Sequence, residues 1–231
     1  MSSLAFQKLK KTLRPAIHVN YPKTNVLFIH IPKAAGSNIS TNILGYRVGH
    51  IPLCDYFLTD KNKFNEAFKF SFARHPFRRF ISAYNFLLSG GINLKDKSQG
   101  DFIKKNFQSL IDFVDACEDI KFRNKFIHLK SQYNFVSIPS DIPYCVKCDF
   151  VGKTEFFNED IKYIANQIND ITIRERLLGL KTSTRSINAR KNHDLNVYDE
   201  CLYQKIINIY RDDMEIFGYD EWNTLDKLKL I

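Results

Sequence analysis

The chain has 231 residues, 44% of them hydrophobic and 26% charged, with a net charge of +9 and a pI near 9.2. That length and balance fit one folded domain with a real core and exclude a disordered chain, while no apolar run approaches the roughly 18–20 residues that span a bilayer. The positive charge favours anionic partners (nucleotides, nucleic acid, acidic glycans or anionic membranes) without choosing among them.

The five cysteines, Cys54, Cys117, Cys145, Cys148 and Cys201, are odd in number and scattered. A secreted disulfide framework looks different. Cys145 and Cys148 form one C-x-x-C without the second pair of ligands that a structural zinc site needs. They are read as ordinary thiols, and no metal is expected.

Residues 3–14 fit a basic amphipathic helix, with Phe6, Leu9 and Leu13 on one side and Lys8, Lys10, Lys11 and Arg14 around the rest. Such a helix, within residues 1–20, could touch a membrane surface or dock on the domain. The N-terminus lacks the long apolar core of a signal peptide. A complete chain is therefore expected in the cytoplasm, and one from which a membrane anchor had been removed in the Golgi lumen.

A buried strand is predicted over residues 26–31 and a helix over 37–45, opening at Ser37 as cap and closing at Gly45. The stretch 67–76 is the next strong strand, with Phe68, Phe70 and Phe72 alternating with Lys69, Ser71 and Ala73. Pro76 opens a helix that breaks at Gly90-Gly91. Residues 92–100 read as a polar loop and 101–118 as one helix. "CDFVG" (148–152) reads as a short strand, a helix starts near Asn158, and 180–196 is loop-like. Residues 199–219 read as one long helix with Leu202, Ile206, Ile209 and Met214 inward. Strands alternating with helices imply an α/β fold with a central, mainly parallel sheet flanked by helices. Residues 1–231 are read as a single domain.

The junction "NVLFIHIPKAAGSNIS" asks why a buried strand should run into a lysine, small residues and a glycine. In open α/β sheets, ligands sit at the carboxyl ends of strands, where a helix N-terminus offers unpaired N–H groups and a positive dipole end. Gly36 permits close approach, Ala34 and Ala35 keep the loop uncluttered, and Lys33 adds a charge. Ser37 and Asn38 add side-chain hydrogen bonds. The whole suits a phosphate. It is not a Walker A loop, because the lysine precedes the glycine. Gly152-Lys153-Thr154 is a decoy, since Lys147 stands where that pattern needs glycine.

Arg74 ends the second strand, and Ser82 follows about two helical turns later. Arginine binds phosphate bidentately. With the first loop, these residues suggest a nucleotide with phosphates at two separated positions.

"HIPKAAGSNIS" resembles the 5′-phosphosulfate loop of the sulfotransferases, and "FARHPFRRFISAY" resembles their 3′-phosphate motif. The pair is similar to the carbohydrate branch, including glycan 2-O-sulfotransferases and chondroitin sulfotransferase-like enzymes. "DFVGKTEFFNEDI" and "YRDDMEIFGY" resemble further segments of that branch, while residues 92–130 match little. Four positions depart from the pattern. His75 stands where Asp or Asn is usual, Arg78 where an acid is common, and Ala34-Ala35 replaces Thr-Gly.

The resemblance implies a P-loop-like sulfotransferase fold, the donor 3′-phosphoadenosine 5′-phosphosulfate (PAPS) and its product PAP. It implies in-line transfer of a sulfuryl group to a carbohydrate or glycolipid acceptor. Lys33 would neutralise charge on the leaving oxygen, and Arg74 and Ser82 would hold the 3′-phosphate. A loop at 182–193 would close over the nucleotide through Ser186, Asn188 and Arg190.

The acceptor needs a base, and histidine is the default near neutral pH. His50 leads because "GHIPLCDYF" resembles the catalytic-histidine segment of glycan 2-O-sulfotransferases. His128, in "FIHLKSQYNF", is next. His30 is read as packing and His75 as assisting the 3′-phosphate motif, and Glu155 could assist near the site. Two other classes stay open: an atypical nucleotide-dependent kinase, and a non-catalytic binder of acidic glycan or nucleic acid. No nucleic-acid partner is expected under the leading reading. Acceptor identity and oligomeric state are not legible.

Overall fold

The computed structural model describes residues 25–138, 145–180 and 195–229. They form two compact units, one within the spans Met1–Ala73 and Gln132–Ser183, the other within Arg74–Ser131 and Thr184–Ile231.

The first unit holds a three-stranded sheet, ordered β1 (Val26–Ile29), β2 (Phe68–Ala73) and β3 (Phe150–Lys153), parallel throughout. Phe28 pairs with Phe70 and Phe72 with Gly152. The expected α/β fold with a parallel sheet is the observed one. The alternating phenylalanines of β2 do not mark a solvent-facing strand, because Ser71 and Lys69 on the other face are buried too. A central parallel strand is covered on both sides. Lys69 tolerates burial because its ammonium meets Asp149 at 3.0 Å and the Ala67 carbonyl at 2.6 Å. Ser71 Oγ donates to the Ile29 carbonyl at 2.7 Å, tying β2 to β1.

Helix α1 (Gly36–Leu44) follows β1, and the short helices α2 (Leu53–Thr59) and α3 (Lys61–Glu66) lead to β2. The core joins Phe28, Phe70 and Phe72 to Ile39 and Ile43 of α1 and to Phe157, Ile161 and Ile164. The last three belong to the later helix Phe157–Gln167. Burying each such side chain contributes roughly 1.5–3 kcal/mol. Gly152 lies in β3, where a Cβ would come within 2.7 Å of the Phe72 ring. Its glycine serves packing, which disposes of the Gly-Lys-Thr decoy.

In the second unit, α4 (Pro76–Leu88) begins with Pro76 in its first turn. The segment expected as a loop at 92–100 is instead largely helical. Helix α5 runs Leu94–Asn106, opened by Asn93, whose Oδ1 accepts from the Asp96 N–H at 2.9 Å. Its composition is polar because only Asp96, Gly100 and Ile103 turn inward. The helix expected over 101–118 is two. Asn106 ends α5, and Ser109 opens α6 (Leu110–Cys117) with a capping box to Asp112. Two short helices follow, α7 (Ile120–Arg123) in this unit and α8 (Tyr133–Val136) in the first. The first unit then continues with α9 (Phe157–Gln167) and α10 (Ile171–Leu178).

The expected long helix at 199–219 is also two, α11 (Glu200–Ile209) and α12 (Arg211–Ile216), before the short α13 (Leu225–Lys229). The break falls at Tyr210, which is buried with its hydroxyl donating to the Leu129 carbonyl at 2.6 Å. Leu202, Ile206 and Met214 are buried as expected, while Ile209 is only partly so and Tyr203 and Ile207 take inward positions. Among the described residues, no helix is long and apolar enough to cross a membrane.

Candidate active site

The loop after β1 is where the backbone departs from ordinary geometry. Lys33 has φ 67° and Ala35 has φ 61°, both left-handed and neither a glycine. Such a conformation costs an L-residue roughly 1–2 kcal/mol. Strain of this kind persists where surrounding structure holds it, commonly at ligand clamps. Alternating the backbone handedness points successive N–H groups toward one place, the arrangement of an anion nest.

Ala35, not Ser37, caps α1, and it makes no side-chain cap bond. The expectation of a serine cap is corrected here: Ser37 lies inside the first turn and is exposed. The Asn38 N–H donates to the Ala35 carbonyl at 3.1 Å. Among the described residues, none accepts from the N–H of Ala35, Gly36 or Ser37. Three donors and the positive end of a helix dipole thus follow the half-buried Lys33 in the chain. Ala34 is buried, so it anchors the loop to the core.

Gly36 has a role beyond close approach. Its φ is not left-handed, and a Cβ there would lie 1.9 Å from His30 Cδ2. The glycine makes room for an imidazole. His30, placed as packing by its position at the end of β1, is 6% exposed and donates from Nδ1 to the Val48 carbonyl at 2.8 Å.

His50 lies beside it. The two ring centroids are 4.2 Å apart, and His50 Nδ1 donates to the His30 carbonyl at 3.1 Å. A carbonyl can only accept, so each Nδ1 carries a proton. In the neutral rings Nε2 is then the basic atom, as a general base requires. The structure therefore brings Lys33, Ala34, Ala35, Gly36, Ser37, Asn38 and His50 into one unit, and adds His30.

Arg74 and Ser82 belong to the second unit, both half-buried, with Arg74 just ahead of α4 and Ser82 within it. His128, in the same unit, is 6% exposed, and its Nε2 meets Asp96 Oδ1 at 3.1 Å. The Phe86 ring lies edge-on to it at 4.9 Å. Glu155 is half-buried, accepting from Thr154 Oγ1 at 3.1 Å. Ser186, Asn188 and Arg190, and the basic segment at 3–14, lie outside the described residues.

A model of the sulfotransferase family matches residues 19–220. The chain belongs to the sulfotransferase family. No curated protein and no solved structure matches it. The matched span includes the strained loop, His30, His50, Arg74, Ser82 and His128 of this sulfotransferase.

The motif around Arg74 also contains Arg79, whose role sequence reasoning missed. It is 1% exposed and its guanidinium donates to the carbonyls of His128 at 3.0 Å and Lys130 at 2.6 Å. Arg79 and Arg123 both lie over the Tyr210 ring, at 5.3 and 5.2 Å. A buried cation held by carbonyls and a ring is a structural clamp. No spacing signal marked it: Arg79 stands two residues after Phe77 and one before Phe80, within a single turn in which all three are buried. All five cysteines are free, and among the described residues no cluster of three or more metal-ligating side chains occurs.

Proposed function

We propose that this sulfotransferase uses PAPS as donor and a hydroxyl of a carbohydrate or glycolipid as acceptor. The observation that carries the donor assignment is the loop at 33–37, with two left-handed non-glycine residues, three N–H groups that have no acceptor among the described residues, and a lysine. That donor set fits an anionic phosphosulfate. The carbohydrate acceptor rests on the resemblance of the two motifs to that branch and on the net charge of +9.

PAPS, when bound, supplies an activated sulfuryl group on an anionic leaving group. The chain's own residues do the rest by positioning and charge stabilisation. The N–H groups of Ala35, Gly36 and Ser37 would hold the phosphosulfate end, with Ser37 and Asn38 side chains beside them. Lys33 would neutralise charge on the bridging oxygen as the sulfur–oxygen bond breaks. His50 Nε2 would take the acceptor's hydroxyl proton as the new sulfur–oxygen bond forms. Arg74 and Ser82 would bind the 3′-phosphate, and Ser186, Asn188 and Arg190 would cover the nucleotide. His128 is the second choice of base. No metal enters the proposal.

The test is a thermal-shift titration with PAP, with ADP and ATP–magnesium as controls. At about 100 times its dissociation constant a ligand stabilises the fold by roughly 2.7 kcal/mol, or about 5–10 °C for a chain of this size. PAP should give that shift and the controls should not. Lys33→Ala should cut sulfuryl transfer by about 10²–10³-fold, the usual effect of removing one preorganised charge-stabilising group. A shift with ATP–magnesium alone would overturn the donor assignment in favour of a kinase.

A further inference from the structure

We propose that His30 is the positioning residue of this site, joining the anion loop to the base through one imidazole ring. The inference rests on the reading of His50 as the base.

Each side of the ring has a separate task. The Nδ1 edge donates to the Val48 carbonyl at 2.8 Å, which pins the segment carrying His50. The opposite edge lies against Gly36, the first helical residue after the strained loop, where a Cβ would sit 1.9 Å from Cδ2 and 2.4 Å from Nε2. One face packs on Phe28, with centroids 6.0 Å apart and planes 25° from parallel. The His50 ring lies 4.2 Å away at 57°. The backbone takes part as well, since the His30 carbonyl accepts the His50 Nδ1–H and so holds the proton off Nε2.

A phenylalanine would pack on Phe28 equally well. Only a side chain with a donor at the Nδ1 position also reaches the Val48 carbonyl. Asparagine has one, because its amide nitrogen falls close to where Nδ1 lies, while its Oδ1 takes about the place of Cδ2 and the outer end of the ring is lost. This gives a set of variants in which ring and donor separate.

Three variants test the assignment: His30→Phe, His30→Asn and Gly36→Ala. The readouts are the imidazole ¹⁵N spectrum of the free protein, PAP binding, and kcat for transfer. His30→Phe should lower kcat by about 10²-fold, the scale of a 1 Å misplacement. Its PAP dissociation constant should stay within about twofold, and His50 should change from a single Nδ1–H tautomer to a mixture. His30→Asn should restore the single tautomer and most of kcat. Gly36→Ala should disturb the His50 tautomer too, because its Cβ would meet the His30 ring.

A wild-type tautomer and kcat in His30→Phe would overturn the proposal. So would a loss of PAP binding equal to the loss of kcat, the mark of a purely structural residue. The tautomer is read without donor or acceptor. A protein that keeps the tautomer pattern and fails to bind PAP refutes the donor assignment and leaves the positioning of His50 standing.

Discussion

Ala35→Gly should stabilise this protein, although removing a side chain usually does the opposite. Ala35 has φ 61° and ψ 2°. An L-residue gives up roughly 1–2 kcal/mol to adopt that conformation, and glycine nothing. Glycine's added freedom in the unfolded chain takes back about 0.4–1 kcal/mol. The Ala35 methyl is exposed, so its loss forfeits little burial. The net is about 0.8 kcal/mol of stabilisation, worth about 2–3 °C in Tm for a protein of this length.

Ala34 next door is the control, since it is 1% exposed and does not have a positive φ. Ala34→Gly loses a buried methyl as well as unfolded-state restriction, together about 1.5 kcal/mol of destabilisation. Urea melts at constant m should show adjacent substitutions moving in opposite directions. Equal destabilisation by both would refute the left-handed backbone at Ala35, and with it the nest.

Two further outcomes follow from the second unit and the thiols. Asp96 accepts from His128 Nε2 at 3.1 Å, the Ile92 N–H at 3.2 Å and Asn93 Nδ2 at 2.9 Å, all in a nearly dry setting. Asp96→Ala should therefore cost about 3 kcal/mol in urea denaturation, and a cost below about 1 kcal/mol, the scale of an exposed pair, would contradict the burial. Burial, chiefly, pushes the Cys54 thiol up to about 11 and the Cys117 thiol up to about 12. Iodoacetamide at pH 8 should then label the exposed Cys201 before either, as read by peptide mass spectrometry; equal labelling of Cys117 would show that its burial is wrong.

The features carried by strong local chemistry were legible. β1, β2 and α4 follow from apolar runs ended by Lys33, Arg74 and Pro76, and the lysine–glycine loop pointed to an anion. What failed had competing signals. Helix α5 has a polar composition that reads as a loop, because its buried face consists of an aspartate, a glycine and one isoleucine. The break at Tyr210 is imposed by Arg79, Arg123 and the Leu129 carbonyl, all distant in sequence. At Gly36 the sequence suggested close approach of a ligand, and the structure adds a second reason for glycine, since the nearest atoms to its missing Cβ belong to His30. The left-handed backbone lies with Lys33 and Ala35, where the residue types do not announce it.

His75 illustrates how a departure by residue type can conserve a physical role. Sulfotransferases usually carry Asp or Asn here, residues that cap the following helix with a side-chain acceptor. His75 does this with an imidazole nitrogen, as Nδ1 accepts from the Phe77 N–H at 3.3 Å. That bond places the ring proton on Nε2, which donates to the Trp222 carbonyl at 3.3 Å, with the Tyr203 hydroxyl also 3.3 Å away. A carboxylate could cap α4 but would confront the Trp222 carbonyl with an oxygen of like partial charge. The histidine therefore keeps the cap and adds a tether to the C-terminal turn. It also removes a negative charge from the residue next to Arg74. For an arginine assigned to a phosphate, a neutral cap leaves the local potential more positive than the usual acid would. The substitution thus favours the anion-binding role that the motif implied.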